Sequence, residues 1–290
     1  MFCRTISCRA SRSYQKPVSI STRKFSTKTE SLQGKRAIIT GSTSGIGLGI
    51  AQTLASKGCN IVLNGFGNPR DIDALCSEIN TKYKIKVEYH PADMKKAAEI
   101  RDMVQFTNTK LGGVDILINN AGIQFVSPVE SFPDEKWDDI IAINLSAVFH
   151  ATKAAIPIMK NQRWGRIVNI SSVHGLVASV NKSAYVASKH AVVGFTKTIA
   201  LETAGSGITA NCVNPGWVRT PLVEKQIEAR AKEKGLSVEK AAEDLLSEKQ
   251  PSKQFVTLEQ LGETVAFLCS PHAAQITGIS VPVDGGWTSQ

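Results

Sequence analysis

The chain has 290 residues, 42% of them apolar, with 34 Lys and Arg against 25 Asp and Glu for a net charge of +9. That length carries a core without staples, and that apolar fraction excludes wholesale disorder. The six cysteines form no Cys-x-x-Cys and no His/Cys cluster, so neither a disulfide framework nor a zinc site is indicated, and a reducing compartment fits.

The charge is concentrated at the start. Residues 1–29 hold seven basic side chains (Arg4, Arg9, Arg12, Lys16, Arg23, Lys24 and Lys28) and no acidic one, whereas the rest is nearly balanced. The body therefore has no basic surplus suited to nucleic acid. A Ser/Thr-rich, acid-poor, basic leader has the composition of a mitochondrial transit peptide over residues 1–30, with Arg23 three residues before a cut after Phe25. The alternatives are a disordered basic extension or a misplaced start, with a cytoplasmic protein as the result. No apolar stretch of about 7–15 residues follows the charges, which argues against a secretory signal.

From residue 31 onward, short apolar runs alternate with amphipathic ones. Strands are expected at 36–40, 60–64, 85–89, 114–119, 166–171, 208–213 and 278–283. Helices are expected at 46–57, 69–82, 95–111, 134–160 (in one or two pieces), 183–204 and 258–270. The richest apolar region, 140–159, is interrupted by Asn144, His150 and Lys153, so no membrane span of roughly 20 uninterrupted apolar residues is expected. The alternation predicts a single α/β domain over 31–290, a doubly wound parallel sheet of Rossmann type. Two further helical patterns, 221–234 and 238–249, lie between a strand and a helix where a few residues would suffice. They predict a helical lid over about 217–254 at the carboxyl edge of the sheet.

Gly41-x-x-x-Gly45-x-Gly47 ends the first strand and opens the first helix, where glycines let a pyrophosphate approach backbone N–H groups. Asn119-Asn120-Ala121-Gly122 follows the fourth strand, and Asn144 lies in the next helix. Ser172 ends the fifth strand, Tyr185-x-x-x-Lys189 opens a helix, and Pro215-Gly216 follows the sixth strand. Tyr185 and Lys189, four apart, share one helix face. A free phenol is a poor base at neutral pH, and an adjacent ammonium and a cationic nicotinamide would both favour its deprotonation.

With these motifs in this order, residues 32–290 resemble the short-chain dehydrogenase/reductase family. The resemblance implies a catalytic tetrad of Asn144, Ser172, Tyr185 and Lys189, with Tyr185 as general base, Ser172 orienting the substrate oxygen and Asn144 holding a water that links Lys189 to solvent. It also implies NAD, held by Gly41, Thr43, Ser44, Ile46, Gly47, Phe66, Asp93, Asn120, Gly122, Tyr185, Lys189, Pro215, Val218 and Thr220. From the residues alone the choice of nicotinamide stays open, because Asn64-Gly65-Phe66 replaces the acid that would bind a ribose hydroxyl. No metal is expected.

Polar residues rim the pocket that this arrangement would form. Lys182, three before Tyr185, would pair with an anionic group, and His174 and Gln124 would add hydrogen bonds. That favours a small hydroxy- or keto-carboxylate. The stretches 63–67, 174–179, 181–185, 215–226 and 246–251 are similar to the soluble, bacterial-type branch of the family that acts on D-3-hydroxybutyrate. That likeness implies reversible oxidation of (R)-3-hydroxybutyrate to acetoacetate in a homotetramer. Gln124, Ser172, His174, Lys182, Tyr185 and Gln226 would hold the substrate, with Trp217 packed beside it. An NADPH-dependent 3-oxoacyl-thioester reductase is the alternative enzyme, and a non-catalytic dinucleotide-binding protein the remoter one.

Overall fold

In the computed structural model, which describes residues 32–290, seven strands form one parallel sheet in the order β3-β2-β1-β4-β5-β6-β7. The expected leader lies outside the described residues. The strands are β1 (Arg36–Ile39), β2 (Asn60–Asn64), β3 (Val87–His90), β4 (Ile116–Asn119), β5 (Gly165–Ile170), β6 (Ile208–Pro215) and β7 (Ser280–Val283). Their apolar runs are continuous because both faces are covered. Ile39 and Ile118 point into a core shared with Leu54 and Leu261, while the alternate residues Ile38 and Leu117 meet Met103 and Ala151 on the other face. Each such fully buried side chain contributes about 1.5–3 kcal/mol.

Helices α1 (Gly45–Ser56), α2 (Pro69–Tyr83) and α3 (Ala97–Leu111) connect the first four strands. The chain reverses direction in the sheet between β1 and β4, and a crevice opens there at the strand carboxyl ends. β3 starts two residues later than expected, because α2 closes on Lys84 in a left-handed conformation (φ 55°) and Ile85 is buried before the strand begins.

The long helical stretch contains α4 (Asp134–Ile141), one turn of π-helix (Ala142–Ser146) and α5 (Ala147–Gln162). By length and composition the run 134–162 could cross a membrane. Here it flanks the sheet, with Ala147, Ala151, Ala155 and Met159 in the core. Helix α6 (Ser183–Glu202) precedes β6, and α9 (Leu258–Cys269), capped by a reciprocal Thr257–Gln260 pair, precedes β7.

Between them lie α7 (Pro221–Lys234) and α8 (Val238–Lys249). Thr220 caps α7 ahead of a proline suited to its first turn, and Ser237 caps α8. The pair has its own small core of Val223, Ile227 and Ala231 against Ala241, Ala242 and Leu245. Arg230 bridges Asp244 (2.5 Å) and Glu248 (2.8 Å), and Lys234 also reaches Asp244 (2.5 Å). Among the described residues Cys59, Cys212 and Cys269 are buried free thiols and Cys76 is partly buried.

Candidate active site

Two adjoining hollows occupy the crevice. The larger, about 430 Å³, runs from Thr43, Ser44 and Phe66 past Asp93 to Gly122, Tyr185 and Lys189. α1 opens there with no side-chain cap from Ser44 and no acidic residue in its first turn, so its leading N–H groups and dipole are available to a phosphate. A Cβ on Gly47 would lie 2.3 Å from the Gly41 carbonyl oxygen, so only glycine lets the helix abut its own loop. These features fit a dinucleotide. Among the described lining residues Lys189 is the only Lys or Arg, which leaves a ribose phosphate without a cationic partner.

Several expected cofactor residues have other surroundings. Gly47 packs behind the loop, not on the cleft wall, because the crowding just described fills its free side. Pro215 and Val218 line the smaller hollow, since β6 runs two residues further than expected and carries Pro215 to its end there. Asn120 reaches the cleft, but its side-chain amide donates to the Thr40 and Gly41 carbonyls, each at 2.9 Å. Asn64 is similarly engaged: it accepts from the Gly41 N–H (3.2 Å) and donates to His90 O (3.0 Å) and Ala92 O (2.9 Å). That position ties β2 to the loops of β1 and β3.

The smaller hollow, about 110 Å³, is lined by Gln124, Ser172, His174, Lys182, Tyr185, Trp217 and Gln226, all singled out from the sequence, together with Trp287. Trp287 was not expected. Its ring stands edge-on to His174 (5.5 Å between centroids) and tilted to Trp217 (5.7 Å). The available sequence signal was Gly285-Gly286-Trp287 directly after the last strand, at the edge where ligands bind. Trp217 Nε1 is buried without a partner among the described residues. A buried polar group of this kind is normally satisfied, so the indole N–H marks a place for a polar ligand.

Ser172 lies two residues beyond β5 and caps a short turn, accepting from the His174 N–H (3.1 Å). Burial pushes the Tyr185 phenol above its ordinary value, opposed by a hydrogen bond from Ser172. Burial likewise pulls Lys189 down to about 8, with its ammonium donating to Ile170 O at 2.9 Å. The Lys189 ammonium lies 5.5 Å from the centroid of the Tyr185 ring, beside the phenol it was expected to acidify. The lysine is drawn to a carbonyl, and desolvation weakens the charge of both groups. Asn144 sits in the π-turn, where its Oδ1 accepts from Ile123 N–H (2.9 Å) and its Nδ2 donates to Ile123 O (3.0 Å) and Ser188 Oγ (3.2 Å). The extra residue of the π-turn aims this side chain between the β4 loop and α6.

Burial first, then the neighbouring Lys182 charge, brings His174 down to about 4, so it is neutral at neutral pH. Lys182 is lowered by burial, against an opposing pull from Glu248 of α8. Its ammonium lies 5.4 Å from the Trp217 ring centroid. A partly desolvated ammonium, a neutral imidazole and two indoles suit a carboxylate with an apolar end, and the same side chains also border a wider outer hollow of about 980 Å³ that reaches Arg230 and Glu248 of the helical pair.

The fold and this site define a class. Residues 35–231 match the short chain dehydrogenase family, and the chain belongs to it. Among individual proteins, the chain is 58% identical over 260 residues to the D-beta-hydroxybutyrate dehydrogenase of Cupriavidus necator, covering 89% of this chain and 100% of that protein. It is 54% identical over 256 residues to the D-beta-hydroxybutyrate dehydrogenase of Rhizobium meliloti, covering 88% and 99%. Among solved structures, L-sorbose reductase from Gluconobacter frateurii, complexed with NADPH and L-sorbose, superposes with a TM-score of 0.86 at 30% identity over 90% of this chain and 99% of that one.

Proposed function

We propose that the protein is an NAD-dependent dehydrogenase that reversibly oxidises (R)-3-hydroxybutyrate to acetoacetate. The observation that carries this is the small hollow in which Lys182, His174 and Trp217 surround the space next to Tyr185. Relatives at 58% and 54% identity with that activity in their names support it.

Lys182 pairs with the substrate carboxylate, assisted by Gln124, His174 and Gln226, and Trp217 and Trp287 flank the alkyl end. Ser172 holds the hydroxyl oxygen toward Tyr185. With its own proton first given up toward the neutral amine of Lys189, Tyr185 as phenolate takes the hydroxyl proton, while Asn144 fixes the segment behind both. When bound in the larger cleft, NAD supplies the acceptor for the substrate's hydride and a positive charge that favours the phenolate. Gly41, Thr43, Ser44, Ile46, Phe66, Asp93 and Gly122 would hold it. The lack of a cation for a ribose phosphate among the described lining residues supports NAD over NADP.

Turnover with each enantiomer of 3-hydroxybutyrate and each nicotinamide tests the reading. Rate with (R)-3-hydroxybutyrate and NAD is expected; rate only with acetoacetyl thioesters and NADPH would replace it by the thioester reductase.

Residues 1–30 act as a mitochondrial transit peptide in this reading, and residues 31–290 as the catalytic domain with a lid at 217–254. The basic, acid-free composition of 1–29 supports targeting. The chain assembles as a homotetramer, a proposal supported by Trp137 and Phe149, large apolar side chains 40% and 42% exposed on α4 and α5.

A further inference from the structure

The segment after β7 carries a buried acid, Asp284, set behind the walls of both hollows. Asp284 is 7% exposed and lines neither the dinucleotide cleft nor the substrate hollow. Its carboxylate is fully engaged: Oδ1 accepts from the Gly286 N–H (2.9 Å), and Oδ2 accepts from the Thr288 N–H (2.9 Å) and hydroxyl (2.7 Å). These bonds bracket Trp287, whose own N–H donates to the Asp284 carbonyl (3.3 Å).

The same knot reaches the other tryptophan. Gln250, 1% exposed at the end of α8, accepts from the Trp217 N–H (2.8 Å), and Ser252 N–H donates to Gly285 O (3.0 Å). A Cβ on Gly216 would fall 2.6 Å from Gln250 Oε1 and 2.9 Å from Asp284 Cα, so glycine is needed where the three strands of chain meet. The backbone at both tryptophans of the substrate hollow is thus held from behind by one hydrogen-bonded cluster. The cluster joins β6, the end of α8 and the C-terminal segment.

We infer that Asp284 is a positioning residue for the substrate hollow and acts through Trp287. A carboxylate accepting three hydrogen bonds across four residues fixes the backbone from which the indole projects, and the ring contacts with His174 and Trp217 then limit how it turns. That orientation fixes the wall facing His174 and so sets the length of alkyl end the hollow admits. The inference rests on the substrate assignment made above.

The test is a double-mutant cycle in the full chain with NAD present, using Asp284→Asn, Trp287→Ala and their combination. Substrates are (R)-3-hydroxybutyrate and its one-carbon-longer homologue. Asp284→Asn places an amide donor against N–H donors and is expected to raise KM for 3-hydroxybutyrate about tenfold, with kcat and NAD affinity much less affected. It should also narrow the preference for the shorter acid. In the Trp287→Ala background the same change should add almost nothing. Additive effects, or loss of NAD affinity in parallel with KM, would overturn the inference, because a merely structural acid weakens the whole fold. Should Asp284→Asn fail to fold, Thr288→Val removes one of the three bonds and enters the same cycle under the same criteria. Wild-type turnover of (R)-3-hydroxybutyrate is measured alongside. Its absence defeats the substrate assignment, whereas its presence with an additive cycle defeats the role of Asp284 alone.

Discussion

At the scale of single residues, the proton route sets the pH behaviour. Lys189, pulled to about 8 by burial, is neutral above that pH and can take a proton from Tyr185; below it the amine is already occupied. Oxidation of the hydroxy acid is therefore expected to quicken as pH rises through about 8, while reduction, which consumes a proton, slows over the same window. Initial rates in both directions across that range provide the check, and a Lys189→Met variant should lose the inflection near 8. Tyr185→Phe should lower kcat by on the order of 10²–10⁴ with NAD binding retained, as read by nucleotide fluorescence titration. Lys182→Ala should raise KM about tenfold or more and leave NAD affinity largely intact, because its ammonium lines only the substrate side of the crevice. Most of these residues were legible because each stands at a strand end or on one helix face, where order in the chain dictates neighbourhood. Trp287 was marked only by its two preceding glycines at the ligand edge, and that signal does not say that the chain folds back from β7 to meet the β5 loop. The upward push on the phenol was not legible, because burial is a property of packing and spacing alone reveals only the neighbouring charge.

At the scale of elements, the helical pair α7–α8 is a nearly separate unit with its own core and ion-pair network. Its boundaries were readable to the residue, because Pro221, Gly235 and Ser237 punctuate it with helix start and stop signals. The π-turn at Ala142–Ser146 was hidden, since apolar periodicity continues through it and only hydrogen bonding distinguishes it. β3 slipped for the opposite reason: Ile85 looks like a strand residue but is buried in the loop before it. If the pair serves as the lid, loosening it should spare the sheet. Ile227, fully buried in the small core, is the place to do so. Ile227→Ala should cost about 2–5 kcal/mol of packing, felt locally. Faster hydrogen exchange confined to α7 and α8, a raised substrate KM and little change in NAD affinity are expected. Exchange that rises equally in α1 and α9 would mean the pair is part of the main cooperative unit.

At the scale of the molecule, the sheet order could be anticipated as a class but its strand neighbours could not, because pairing depends on which faces the crossovers cover. Removing residues 1–30 should leave turnover unchanged, and fusing them to a fluorescent reporter should carry it into mitochondria; a diffuse signal defeats the targeting proposal. Light scattering of the truncated chain should give four protomers, and Phe149→Glu should reduce that number. The buried thiols offer one more handle on the whole. Burial pushes Cys59 up to about 12 and Cys212 up to about 11, and raises Cys269 as well. Nucleophilic attack requires the thiolate, so at neutral pH these sulfurs ignore alkylating reagents while the sheet is closed. Cys59 and Cys269 share the core cluster on one side of the sheet, whereas Cys212, within β6, packs with Val148 and Val192 of α5 and α6, so the three thiols sample two separate packing layers. In the truncated chain their labelling rates form an internal clock for opening: a shared rate reports one cooperative event, and separate rates reveal which layer parts first.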